Sequence, residues 1–293
     1  MNAIEVRQLT RVFGTLHAVE SVSLDVAPGT VFGLLGANGA GKSTLLKLLV
    51  GHLRPTSGSA TVLGRQVSMR DPERWLRMGY VSQSRYIPNW MTGAECLRFA
   101  KAFRPQWDDS KVAALVRRLD VPLDKKVQDL SRGLYVRLQI ALALGHNPEL
   151  ILLDEPTSGL DPAGRRELLG LLIEEIGQGS RTVVFSSHLV DDIERLADEA
   201  AIMDAGRIVA CGPLDILKGS RSRIELPEAL GEADLSGVPG LIELKRGPSG
   251  TTAITAEPEN AVEFLRSRGV ADVTSESASL EQVFFDYVNR RSK

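Results

Sequence analysis

Long apolar stretches are missing from this chain. No run approaches the roughly 18 apolar residues that a membrane span needs, so any work at a bilayer requires another chain to do the spanning. Cysteine is scarce: Cys96 and Cys211 are the only two in 293 residues. They make neither a disulfide framework nor a zinc-ligand spacing, and a reducing cytosol is the expected compartment. Charge of one sign is not in excess either. A net charge of -2 and the lack of a basic stripe give nucleic acid or anionic lipid no reason to bind directly. The opening residues Met1-Asn2-Ala3-Ile4-Glu5 do not follow the basic-then-apolar order of a secretory signal. Internal repeats and low-complexity tracts are absent as well. What remains is an ordinary globular composition, at a length suited to one large domain and a smaller one.

Within that composition one stretch organises the rest. Gly36-Ala37-Asn38-Gly39-Ala40-Gly41-Lys42-Ser43-Thr44 fits G-x-x-x-x-G-K-[ST], the Walker A loop. A strand-like run, Thr30–Leu35, leads into it and a helix-like run, Thr44–Leu49, leaves it. Such a loop curls so that successive N–H groups face inward and make an anion nest at a helix N-terminus. Lys42 can bridge the outer phosphates of a nucleotide, and Ser43 can offer its hydroxyl to Mg²⁺. The expected nucleotide contacts are Gly36, Asn38, Gly39, Ala40, Gly41, Lys42, Ser43 and Thr44. A glycine-rich turn with a surface lysine is the bland competitor, and the strand-loop-helix context argues against it.

Before the loop, residues 4–35 read as short strands with turns. After it come a helix from Ser43 to about Gly51, strands near Gly58–Leu63 and Met78–Gln83, and a helical pattern from Thr92 to about Leu119. Helix resumes from about Gly133 to Leu144 and stops at Gly145 with Pro148 beyond. Strands near Leu150–Asp154, Thr182–Ser186 and Ala200–Met203 then alternate with helices near Pro162–Ile176 and Val190–Ala197. This alternation predicts an α/β fold with a mainly parallel sheet covered on both faces. Past Gly212 the texture changes, and residues 219–293 read as a small separate α+β unit. Its expected elements are strands Ser222–Leu226, Leu241–Lys245, Thr251–Thr255 and Ala271–Ser275, with helices Glu259–Arg268 and Leu280–Val288.

Downstream of the loop, the apolar strand Leu150-Ile151-Leu152-Leu153 ends in Asp154-Glu155. A buried strand delivers Asp154 to the sheet's C-terminal edge beside the phosphate loop, where it can hold Mg²⁺ through water. Glu155, one residue on, can polarise a water lined up with the γ-phosphate. With these residues the chain resembles the ATP-binding subunits of ABC transporters, over about residues 2–218. Leu130-Ser131-Arg132-Gly133-Leu134 stands where that family has its signature, Ser158-Gly159-Leu160-Asp161 resembles the D-loop, His188 the switch histidine and Gln83 the Q-loop glutamine. Phe13, just before Gly14, is similar to the aromatic that stacks on adenine.

The resemblance implies a P-loop NTPase with an antiparallel β subdomain and a helical subdomain at about 84–148. It also implies ATP and Mg²⁺ as cofactors. Two copies, or two related subunits, would clamp nucleotide between the glycine loop of one and Ser131 and Gly133 of the other, with Asp161 nearby. Glu155, His188 and Gln83 would be the catalytic set, and Ser43, Gln83 and Asp154 the metal set. Integral membrane permease chains are the implied partners, with the protein peripheral at the inner face of the membrane. Arg132 and Leu134 depart from the family's signature, and Arg132 can either add a cation near the nucleotide or face solvent.

The bland readings are an N-cap for Ser131, a polar strand end for Gln83 and a core aromatic for Phe13. His17, His52 and His146 read as surface residues. Tyr86, Ile87, Pro88, Trp90 and Met91 fit either a partner groove or the subdomain's own core. Phe103-Arg104-Pro105-Gln106-Trp107-Asp108 and Ser279-Leu280-Glu281-Gln282-Val283-Phe284 are similar to ATPase subunits of exporter-type systems. The competing functions are a soluble ABC-type ATPase acting on ribosomes or DNA, and a P-loop phosphotransferase acting on a small molecule. The first is disfavoured because no second cassette or coiled-coil insertion is present. The second would leave the signature, D-loop and His188 unexplained.

Overall fold

The computed structural model describes residues 1–68, 71–177, 181–226, 235, 237–247, 250–268, 270 and 273–289. Two compact units divide the chain, Met1–Cys211 and Gly212–Lys293.

The first unit begins with two long antiparallel strands, β1 (Ile4–Phe13) and β2 (Leu16–Val26), joined at Gly14. With β4 (Ser57–Val62) and β5 (Arg65–Gln66) they make a four-stranded sheet in the order β2-β1-β4-β5. Alternation builds it: Ile4, Val6 and Leu9 from β1 and Val22, Leu24 and Val26 from β2 are buried against the loop helix, while the intervening residues face outward.

The second sheet has six strands, in the order β10-β9-β3-β8-β7-β6. They are β3 (Val31–Leu35), β6 (Met78–Val81), β7 (Leu150–Asp154), β8 (Thr182–Ser187), β9 (Glu199–Asp204) and β10 (Arg207–Pro213). β9-β3, β3-β8, β8-β7 and β7-β6 all pair in parallel. Both faces of β7 are covered, which is why it reads as a continuous apolar run rather than an alternating one. Each fully buried leucine or isoleucine there stabilises the fold by about 1.5–3 kcal/mol.

Register decides function in this sheet. Leu35 stands opposite Ser187, and Asp154 opposite Ser186. The segments leaving β3, β7 and β8 therefore emerge side by side at the carboxyl edge, where open α/β sheets place their ligands.

The helices of this unit are α1 (Lys42–Leu49), α2 (Pro72–Leu76), α3 (Gly93–Ala102), α4 (Asp109–Arg118), α5 (Arg132–Leu144), α6 (Pro162–Gly177) and α7 (Val190–Leu196). The helical stretch expected over Thr92–Leu119 is two helices, interrupted around Phe103-Arg104-Pro105, where proline removes a donor and bars the preceding residue from the helical region. Capping begins each one. Thr92 Oγ1 accepts from the Glu95 N–H at 3.3 Å and Glu95 Oε2 accepts from the Thr92 N–H at 2.8 Å, a reciprocal capping box, and the Asp108 side chain caps α4.

The second unit carries α8 (Leu214–Gly219), which falls with this unit rather than closing the first at 218. Its sheet runs β12-β13-β11-β14, from β11 (Ser222–Leu226), β12 (Leu241–Gly247), β13 (Gly250–Thr255) and β14 (Ser275–Ser277). α9 (Pro258–Ser267) and α10 (Leu280–Asn289) complete it. Ile224, Ala253, Ala261 and Leu265 centre its core, so the unit has an apolar interior of its own. The strand expected at Ala271–Ser275 starts on residues outside those described.

Candidate functional site

The site forms where β3, β7 and β8 end. Gly41 has φ of 104°, a backbone that side-chain-bearing residues avoid, and a Cβ there would stand 2.2 Å from the Ala18 carbonyl oxygen. The loop can curl this tightly only because that atom is missing. α1 starts immediately after it, aiming the positive end of its dipole into the loop.

Lys42 is 4% exposed. Its Nζ donates to the Gly36 and Ala37 carbonyls at 2.7 and 3.0 Å and pairs with Glu155 Oε1 at 3.0 Å. The other Glu155 oxygen, Oε2, accepts from His188 Nδ1 at 2.7 Å. Glu155 is thus held between an ammonium and an imidazole, at 4% exposure. Its own φ is 47°, a left-handed backbone that costs a non-glycine residue of the order of 1–2 kcal/mol. The Glu155 N–H donates to Ser186 Oγ at 2.9 Å and fixes that conformation.

Asp154 lies deeper. Ser43 Oγ and Ser186 Oγ both donate to its Oδ1, at 2.8 and 3.0 Å, whereas Oδ2 is buried with no hydrogen-bond partner. Burial pushes its pKa up against the pull of these two hydroxyls. A carboxylate with an unsatisfied buried oxygen beside a hydroxyl is an oxygen donor set that suits a hard divalent cation. Among the described residues no group of three or more His, Cys, Asp or Glu side chains is placed to hold a metal alone. This fits an ion such as Mg²⁺, which takes one or two protein ligands and fills its shell with water and phosphate oxygens.

Other expected residues lie further out. Gln83 follows β6, which ends at Val81 rather than at Gln83, and its side chain is half-buried. Phe13 is 42% exposed, not a core aromatic, and the Arg11 guanidinium covers one face of its ring at 4.4 Å. Ser131 caps α5 by accepting from the Leu134 N–H at 3.3 Å, and a Cβ on Gly133 would approach Leu160 Cδ2 at 3.2 Å. Asp161 Oδ1 accepts from the Gly164 N–H at 2.8 Å at the start of α6. Within one copy, then, the hydrogen bonds at Ser131 and Asp161 are local caps, and Gly133 packs near Leu160. Arg132 is half-buried, and its Nη1 donates to the Gln83 carbonyl at 2.7 Å.

Two groups were not foreseen from the sequence. Ser186 links Asp154 to Glu155, and Asp192, 1% exposed, gathers Thr157 Oγ1, Ser187 Oγ and Arg165 Nε at 2.7, 2.9 and 2.7 Å. A polar Ser-Ser pair closing an apolar parallel strand was the available signal. His52 and His17 are exposed as expected, but His146 is buried, its Nε2–H donating to the Met78 carbonyl at 3.2 Å.

Next to Gln83 a cavity of about 450 Å³ opens between α3, α5 and the segment after β6, lined by Tyr86, Ile87, Pro88, Met91, Phe99 and Phe103 among others. Met91 is buried, Tyr86 lines the cavity while 55% exposed, and Trp90 is 69% exposed. The aromatic cluster is therefore partly core and partly wall.

Comparison with known proteins agrees with this geometry. The family described as ABC transporter matches residues 19–158. An uncharacterised ABC transporter ATP-binding protein of Nostoc is 33% identical, over 94% of this chain and 84% of its own length. A Nod factor export ATP-binding protein I of Cupriavidus metallidurans is 30% identical over 99% of this chain and 98% of its own. Among solved structures, an ATP-binding subunit of an ABC transporter superposes with a TM-score of 0.66 at 26% identity, covering 74% of this chain and 92% of that one. A dimeric ATP-binding cassette bound to ADP and Pi shares the fold, with a TM-score of 0.65 at 21% identity over 72% of this chain and 98% of that one.

Proposed function

Because the chain belongs to the ATP-binding proteins of ABC transporters, we propose that it binds and hydrolyses ATP with Mg²⁺ as one of two paired subunits, and that hydrolysis drives export through separate membrane permease chains. The observation that carries the reading is the meeting of Lys42, Ser43, Asp154, Glu155 and His188 at one sheet edge, each held by a named partner. Asp154 and Ser43 would hold Mg²⁺ with Gln83 in reach. When bound, the ion neutralises charge building on the outer phosphates.

The protein's own groups divide the remaining work. N–H groups of Gly36–Thr44 cradle the phosphates, and Lys42 turns from the carbonyls and Glu155 to the outer phosphate oxygens. That frees one Glu155 oxygen to accept a proton from the attacking water, while His188 steadies the other. Phe13 offers its uncovered face to adenine. A second copy would bring its Ser131, Gly133 and Asp161 to the γ-phosphate. ATP then closes the pair and hydrolysis reopens it.

Transport across a membrane needs a partner, since no helix among the described residues is long and apolar enough to cross one. The cavity beside Gln83 offers apolar walls for a short helix of such a permease on the cytoplasmic side. Export is the direction supported by the relatives named for Nod factor export, which this chain matches along nearly all of its length. The test is Glu155→Gln. Turnover is expected to vanish while ATP-dependent pairing, read by size-exclusion chromatography, persists; unchanged turnover would remove Glu155 as the base. In detergent extracts the full chain should retain an integral membrane protein, and recovery of ribosomes or DNA instead would refute the transport reading.

A further inference from the structure

Arg132 lies between two segments far apart in sequence. Its guanidinium Nη1 donates to the Gln83 carbonyl at 2.7 Å, and a Cβ placed on Gly159 would meet its Cγ at 3.6 Å. The stem therefore lies along the turn that follows Asp154-Glu155, and the head holds the main chain of the residue after β6. Three further bonds join that segment to α5 and to Leu130 just before it. Arg85 Nη2 donates to the Leu130 carbonyl at 3.1 Å, and the Tyr86 and Ile87 N–H groups donate to Tyr135 Oη at 3.0 and 3.4 Å. Arg85 also lies over the Tyr135 ring at 4.9 Å. Of these bonds, the one from Arg132 alone reaches residue 83 itself.

We propose that Arg132 is a positioning residue for Gln83. By holding the Gln83 carbonyl it fixes the backbone from which the glutamine amide reaches towards the metal and the attacking water, and it makes residues 83–87 move together with the N-terminus of α5. A small residue at this place could not do so, because it carries no donor that reaches from α5 to that carbonyl. Arginine suits this role because it stays charged, its fork is rigid, and a charge-assisted bond to a carbonyl resists opening more than a neutral one. The consequence is a coupling. Any displacement of 83–87, such as a permease helix seated in the neighbouring cavity would cause, is passed to the start of α5. The proposal rests on the reading of Gln83 as a group serving the metal and water.

The test uses the full chain and Arg132→Met, which keeps the stem against Gly159 and removes the donor. In the protein without nucleotide or metal, amide exchange across Ser84–Ile87 should accelerate about tenfold while Leu150–Asp154 stays unchanged. The Mg²⁺ concentration for half-maximal hydrolysis should rise about fivefold, with ATP affinity measured without metal altered less than about twofold. Arg132→Lys, which retains a donor without the fork, should fall between the two. In a Gln83→Ala background the carbonyl persists, so the exchange effect should remain while the Mg²⁺ effect disappears. Unchanged exchange in Arg132→Met, or a Mg²⁺ effect of equal size in the Gln83→Ala background, would overturn the proposal. Hydrolysis surviving Glu155→Gln would instead strike the underlying site reading, and the exchange measurement would still judge the tie between Arg132 and Gln83.

Discussion

Acidification should loosen the first unit through His146, and the size of the effect follows from where that ring sits. The side chain is 1% exposed, Nε2–H is satisfied by the Met78 carbonyl, and Nδ1 is buried with no partner. A second proton would have to sit on Nδ1, away from water and close to the cations Arg104 and Lys111. Burial first and these charges second lower the pKa from 6.5 to about 4. An unfolded chain takes up the proton as pH falls below about 6.5, while the folded one resists until about 4. Stability is therefore full above pH 6.5 and drains away through that window, by about 2 kcal/mol at pH 5 relative to pH 8.

Urea titrations at the two pH values measure this directly. Trp75, Trp90 and Trp107 all lie in the first unit, so tryptophan fluorescence reports the unit that contains His146. The control is His146→Gln, expected to cost about 1 kcal/mol at pH 8 for an imperfect replacement of the buried ring. Asp154, whose pKa burial raises, acts in the opposite sense because its folded form takes up a proton first; it is present in both proteins and cancels. The wild-type protein should lose about 2 kcal/mol more than the variant between pH 8 and pH 5. Equal losses in the two proteins would refute the assignment to His146.

Lys42→Ala is expected to weaken ATP binding by about a hundredfold, since one buried charge-assisted contact to phosphate is worth about 3 kcal/mol; equilibrium binding with a fluorescent ATP analogue checks it. Asp192→Ala should cost about 3 kcal/mol in the same urea assay, because Arg165, Thr157 and Ser187 lose a common buried acceptor. Thr92→Ala breaks the capping box of α3 and should lower stability by about 1 kcal/mol without changing ATP affinity. Charging the cavity wall with Phe99→Glu should leave ATP binding intact and abolish co-purification of the proposed membrane partner, since Phe99 is 61% exposed and lies on the cavity wall rather than at the sheet edge.

How much of this could be read from the sequence varies with the range of the interactions involved. β7 was expected where it lies because a buried parallel strand needs both faces apolar, and Leu150–Leu153 ended by Asp154 leaves little alternative. The glycine loop and α1 were equally plain, since their chemistry is local. α2 leaves no pattern in the sequence: five residues are too few for periodicity to register. β10 leaves none either, because its half-exposed residues do not alternate cleanly. His146 and Arg132 show the harder limit. Met78 and Gln83 receive their hydrogen bonds on backbone carbonyls, and a carbonyl carries no residue type for a pattern to detect. The same holds for Asp192, whose three donors come from different elements brought together only by folding.

The grip of Lys42 on Glu155 has the character of a safety catch. On the proposed function, the ammonium that would greet the incoming triphosphate is the one that pairs with the carboxylate proposed as the base, so arrival of the substrate would also arm that base. Under that proposal, idle attack on half-seated nucleotide would be discouraged, because the base stays paired until the phosphates draw Lys42 away.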